Sequence, residues 1–94
     1  MAGINMTTAL SLLKSRLNRL EGDTSLDVTL TARLTETAEE LTSIGIALDD
    51  SARDMMLVVD YAAWKYQNRD KSGDMPQWLK RERFERWLES GVTG

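Results

Sequence analysis

Asp49, Asp50 and Asp54 place three carboxylates in one short segment, and oxygen ligands so spaced can surround a divalent cation. A calcium loop of the EF-hand type also needs a glycine at its sharp turn and a closing bidentate glutamate. This segment has neither. Negative charge just ahead of an apolar helical pattern suits the free N–H groups and the dipole of a helix start, so the aspartates are assigned to capping. Glu39 with Glu40, and Glu82 with Glu85, offer paired carboxylates of the kind used in acid–base catalysis. Neighbouring acids on a helix are more often a solvated face. The chain has no cysteine and no histidine, which removes thiolate nucleophiles, Ser/His triads, structural zinc and the usual neutral-pH proton shuttle. No enzyme activity, metal or cofactor is expected.

The remaining chemistry is that of cations. Arg81, Arg83 and Arg86, with Lys80, lie in one stretch near the C-terminus and could face phosphates. Three glutamates intervene, and the spacing of Glu82 with Arg86 and of Arg81 with Glu85 predicts surface ion pairs one turn apart. The net charge of −3 is unevenly divided: residues 1–60 hold five Lys/Arg against ten Asp/Glu, and residues 61–94 hold seven against five. A polyphosphate binder concentrates its basic residues, and no glycine-rich phosphate loop is present. Sequence-specific reading of DNA is not expected. A small helical nucleic-acid-binding or DNA-packaging accessory protein stays as the alternative reading.

These residues must be positioned by helices. Period-3.6 patterns predict four. The first covers about residues 7–20, with Leu10, Leu13, Leu17 and Leu20 on one stripe, Thr7 or Thr8 as cap and Gly22 as stop. The second covers about 26–44, with Leu26, Leu30, Leu34, Leu41 and Ile44 on one face, Ser25 or Asp23 as cap and Gly45 as stop. Its five threonines weaken helix propensity, but leucines recurring mostly at fours outweigh them. The third covers about 51–69. Ala52, Met55, Met56, Val59, Ala62, Ala63 and Tyr66 form its main apolar stripe, and Leu57, Tyr61 and Trp64 form a second on the opposite side. A polar turn through Gly73 leads to Pro76, which suits a first helical turn. The fourth helix then runs to about Glu89, with Leu79, Phe84, Trp87 and Leu88 on one broad side.

The expected fold is therefore all-α: one compact four-helix domain over 1–94, with a long central third helix and a C-terminal helix after a proline turn. At 94 residues such a chain buries only about 60–65% of the surface its unfolded form exposes, so assembly would add to its stability. No stretch approaches the roughly 18 apolar residues of a membrane span, and a soluble protein made in the cytoplasm is expected.

All six aromatic residues lie between Tyr61 and Trp87, interleaved with lysines and arginines. Trp, Tyr and Arg dominate interface hot spots. Tyr66, Phe84 and Trp87 fall on core stripes. Leu57, Tyr61, Trp64 and Trp78 do not, and with Arg81, Arg83 and Arg86 they are the interface candidates.

The run Leu57-Val58-Val59-Asp60-Tyr61-Ala62-Ala63-Trp64-Lys65-Tyr66-Gln67-Asn68-Arg69-Asp70, then Met75-Pro76-Gln77-Trp78-Leu79, resembles the head-tail connector (adaptor) family of tailed bacteriophages. There a long helix ends in a Tyr-x-Asn-Arg-Asp-like turn before a final helix. The preceding segment from Leu26 to Gly45, with Ile46 and Leu48, is similar too, and the likeness covers about residues 8–90. It implies a virion neck protein, present in the host cytoplasm during assembly. Its partners would be itself, in a ring of about twelve subunits, the portal protein, and a tail-side stopper or head-completion protein. Genomic DNA would pass through the channel without sequence-specific binding. Family members often engage the portal through a longer C-terminal extension, whereas only Ser90 to Gly94 follow the last helix here, so docking through that helix itself is expected instead.

Overall fold

The computed structural model describes residues 4–18, 22–68 and 75–91 of the chain. Four helices follow in order: α1 Met6–Arg16, α2 Asp27–Ser43, α3 Ala52–Gln67 and α4 Gln77–Gly91. No strand occurs among the described residues. Leu20, and the Arg69-Asp70 and Gly73 positions of the expected turn, lie outside them.

The helix ends depart from the sequence expectations in instructive ways. Asn5, not Thr7 or Thr8, caps α1: its side-chain oxygen accepts the Thr8 N–H at 3.1 Å. The helix stops at Arg16, followed by Asn18 at φ +60°, a left-handed position that asparagine tolerates. Neither Asp23 nor Ser25 caps α2, because the Ser25 N–H and hydroxyl both donate to Asp23 Oδ1, at 3.0 and 2.7 Å. That helix starts after Leu26 with no side-chain cap.

Its other end matches the expectation for Gly45, which takes φ +110°. The Gly45 N–H donates to the Thr42 carbonyl and the Ile46 N–H to the Leu41 carbonyl, at 3.0 and 3.1 Å. This is a Schellman closure, possible where the residue after the cap has no Cβ. Ile46 and Leu41, both buried, supply the apolar contact that accompanies it.

Ser51 caps α3 by accepting the Asp54 N–H at 3.2 Å. At the far end, Pro76 precedes α4, and its carbonyl accepts the first N–H groups, those of Leu79 and Lys80, at 3.1 and 3.0 Å. The helix continues through Gly91, two residues beyond the expected end.

α1, α2 and α3 pack on one another, and α3 also carries α4, whose backbone packs among the described residues against α3. The core holds Leu13 from α1, Leu30, Leu34 and Leu41 from α2, and Val58, Val59, Ala62 and Ala63 from α3. Each large aliphatic side chain buried there contributes about 1.5–3 kcal/mol. Thr37 fills the α2 stripe between Leu34 and Leu41. Its hydroxyl donates to the Arg33 carbonyl one turn back at 2.7 Å, so a threonine enters the core without a stranded polar atom.

Two assignments on α3 change. Met56, placed by its spacing on the core stripe, is 42% exposed, whereas Leu57 and Tyr61 are buried. The reason is that α3 is covered on three sides, and α4 lies over what would otherwise be its second face.

Candidate interaction surface

α4 docks through polar side chains. Leu79, Arg83, Arg86 and Ser90 recur three or four residues apart and share one face, and only Leu79 among them is a buried apolar anchor. Arg86 reaches down to Asp54, which is fully buried. Its Nε donates to Asp54 Oδ1 at 2.6 Å and its Nη2 to Oδ2 at 2.9 Å, a fork-to-fork pairing. The same guanidinium donates to the Ala47 carbonyl and to the Ser90 hydroxyl, and Ser90 Oγ accepts the Ala47 N–H at 3.0 Å. The hydrogen bond to Asp54 holds the guanidinium above its ordinary pKa, against the opposing effect of burial. The Trp87 indole N–H adds a bond to the Ile44 carbonyl at 2.7 Å, satisfying an acceptor that the end of α2 leaves open. Arg53 pairs with Glu89 at 2.6 Å.

The three aspartates thus have distinct structural roles. Asp49 Oδ1 accepts the Ser51 N–H at 2.9 Å, and Asp50 Oδ1 accepts the Asn5 N–H at 3.1 Å. Asp54 accepts the Asp49 N–H at 2.8 Å besides holding Arg86. Among the described residues no His, Cys, Asp or Glu cluster could hold a metal ion, and no helix is long and apolar enough to cross a membrane.

A second polar cluster joins α2, α3 and α4. Tyr61 and Lys65 both donate to the Glu40 carboxylate, and Arg83 donates to the Tyr61 oxygen at 3.1 Å. Lys65 and Arg83 also lie 5.0 and 5.7 Å from the centre of the Tyr61 ring, within cation–π range. Burial pushes the Tyr61 hydroxyl up to about 12, reinforced by its bond to Glu40, so the phenol stays a neutral donor. Burial also pushes Glu40 up, but the bonds from Lys65 and Tyr61, with the charges of Lys65 and Arg83, outweigh it and hold the carboxyl below its ordinary value. A carboxyl lowered on folding adds stability above its unfolded pKa, about 4.3 for glutamate, and loses it as pH falls through the folded value. Replacing Glu40 by Gln is therefore expected to flatten the loss of thermal midpoint between pH 5 and pH 3, roughly the window where glutamates titrate, as scanning calorimetry across that range would record.

The interface candidates divide accordingly. Leu57 and Tyr61 are core residues, and Trp64 is half-buried with its ring 6.4 Å from that of Tyr61. Arg83 and Arg86 are engaged inside the chain rather than offered outward. Neither expected pair one turn apart forms: Arg86 turns to Asp54, and Arg81 is exposed without an ion pair among the described residues. Trp78 remains, 49% exposed. With Met56, Arg81 and Glu82 it borders a groove of about 370 Å³ between α3 and α4.

Phe84 and Trp87, expected in the core, are 56% and 39% exposed. Their rings stack at 5.9 Å with 27° between planes, beside the exposed Ile44 and the half-buried Lys80. The sequence held a signal for this arrangement: Asp54 recurs with Val58 and Ala62 at fours, and an acid on a buried stripe demands a cationic partner. Comparison with protein-family models, curated proteins and solved structures finds no match for the chain.

Proposed function

We propose that the chain is a structural subunit of a phage neck ring, which joins the portal vertex to the tail-side neck proteins and continues the DNA channel. The observation that carries the reading is the construction of α4. Its charged residues hold it to α3, while Trp78 and Phe84 stand about half exposed and Trp87, bonded to the Ile44 carbonyl, keeps part of its ring open. Exposed aromatics on a helix anchored from beneath suit a protein partner. The resemblance of residues 57–70 and 75–79 to connector proteins names the kind of assembly. With Arg83 and Arg86 drawn inward, α4 offers duplex DNA mainly Lys80 and Arg81, a weak phosphate surface that suits a channel through which DNA slides.

Light scattering of the purified chain, alone and with a candidate portal ring, tests this. A 10.6 kDa chain that joins the portal as a ring supports it. A dimer that ignores the portal and binds duplex DNA in a salt-dependent way overturns it in favour of a nucleic-acid-binding protein. Trp78→Ala is expected to shift folding stability by no more than about 0.5 kcal/mol, as for an exposed side chain. The same change should weaken portal association by about 1–2 kcal/mol, as for an interface anchor. Thermal melts and a binding titration on the same sample separate the two.

A further inference from the structure

The residues from Ile44 to Ser51 join α2 to α3, and both the first and the last helix are bonded to them. From α4, the Trp87 indole N–H donates to the Ile44 carbonyl, Arg86 donates to the Ala47 carbonyl and Ser90 Oγ accepts the Ala47 N–H. Gly45 lets the indole close in, since a Cβ there would stand 3.4 Å from Trp87 Nε1. From the other side, the Asn5 N–H donates to Asp50 Oδ1 at 3.1 Å. Asn5 is the residue that caps α1, taking the Thr8 N–H on its side chain and the Ala9 N–H on its carbonyl. Between these contacts, the buried Asp54 carboxylate takes Arg86 and the Asp49 N–H together. An unbroken line of bonds thus runs from Arg86 through Asp54, Asp49 and Asp50 to Asn5. Among the described residues the backbones of α1 and α4 do not pack on each other, so this line is what joins them.

We propose that the Ile44 to Asp50 segment is a relay, through which release of α4 loosens the capped start of α1 and disturbance at α1 loosens α4. When Arg86 leaves, Asp54 is a carboxylate short of its charge partner, and it gains most by turning to water. Turning surrenders the Asp49 N–H at the moment when Ala47 has lost both of its anchors. Asp50 then no longer holds Asn5 in a fixed place, and the cap of α1 frays. α4 supplies the two-state element that such coupling requires, and the effect is reciprocal because one free energy is shared between two sites. A partner that draws on the exposed aromatic residues of α4 is therefore felt at α1. The relay holds whatever that partner is, and so goes beyond the neck reading.

Hydrogen exchange followed by NMR on the full chain tests the relay at the Asn5, Thr8 and Ala9 amides. Ser90→Ala and Trp87→Phe each remove a bond from α4 to the segment and leave the Asp54–Arg86 pair in place. Each is expected to speed exchange at those amides by roughly two- to tenfold, the worth of one hydrogen bond, with Leu34 and Leu41 at wild-type rates. Asp50→Ala speeds the same amides, speeds those of Phe84 and Trp87 in turn, and cancels the further effect of Ser90→Ala in the double variant. Amides of α1 unmoved by Ser90→Ala and Trp87→Phe overturn the relay. So do effects that simply add in the double variant, and so does an equal rise at Leu34 and Leu41, which marks a loosening of the whole fold. Portal association is measured apart from this: its absence strikes the neck reading and leaves the relay standing.

Discussion

Asp54→Ala lowers the stability of the chain by about 3–5 kcal/mol, the range for removing one partner of a buried pair. Asp54 is fully buried and the Arg86 side chain only 12% exposed, so the substitution leaves a largely buried guanidinium without its directly bonded carboxylate. It also strands the Asp49 N–H that Asp54 accepts. A domain of this size has roughly 5–14 kcal/mol in total, so the loss is a large fraction of it. Urea denaturation should show a lower midpoint with the slope retained. Combining Asp54→Ala with Arg86→Met removes the orphaned charge and is expected to recover part of the loss, since an apolar replacement of a buried pair is often close to neutral. If Asp54→Ala costs under 1 kcal/mol, roughly that of an exposed pair, the clamp between α3 and α4 does not hold the fold.

Val59→Asp unfolds the chain at neutral pH. Val59 is 1% exposed, within the core that α1, α2 and α3 share. An unpaired carboxylate in that setting costs several kcal/mol even if it escapes by taking up a proton, and the lost valine packing adds about 1.5–3 kcal/mol. Loss of the helical circular dichroism signal at 25 °C is the expected reading, with Val59→Ala still folded. A soluble, helical Val59→Asp protein would place Val59 outside the core.

The three-helix body was open to sequence reasoning because leucines at fours, as in Leu30 and Leu34, carry both a period and a large burial energy. Gly45 was open for a similar reason: a glycine ending an apolar stripe has few other uses. α4 was not. Ranking its positions by apolarity favours Phe84, Trp87 and Leu88, but the face that docks is Leu79, Arg83, Arg86 and Ser90. What selects that face is Asp54, which lies 32 residues before Arg86, and periodicity within one helix contains no term for a partner so distant. The same blindness made Leu57 and Tyr61 interface candidates, since a second stripe on α3 does not reveal whether α4 or another molecule covers it. The caps failed at short range instead. Asn5, Thr7 and Thr8 are all competent capping residues or nearly so, and which one acts depends on where the backbone turns.

α4 packs on α3 and is tied by polar bonds to the segment between α2 and α3, and this governs how the molecule opens. α4 contributes little apolar area and is held by hydrogen bonds and ion pairs reaching α3 and the segment between α2 and α3. It is expected to act as a separate cooperative unit, able to detach while the leucine core of α1 to α3 stays closed. In native-state hydrogen exchange its amides should exchange through this partial opening, ahead of those of Leu34, Leu41 and Val58. Because the exposed aromatic residues ride on α4, the assembly proposed for the chain would be tied to the equilibrium of that single helix.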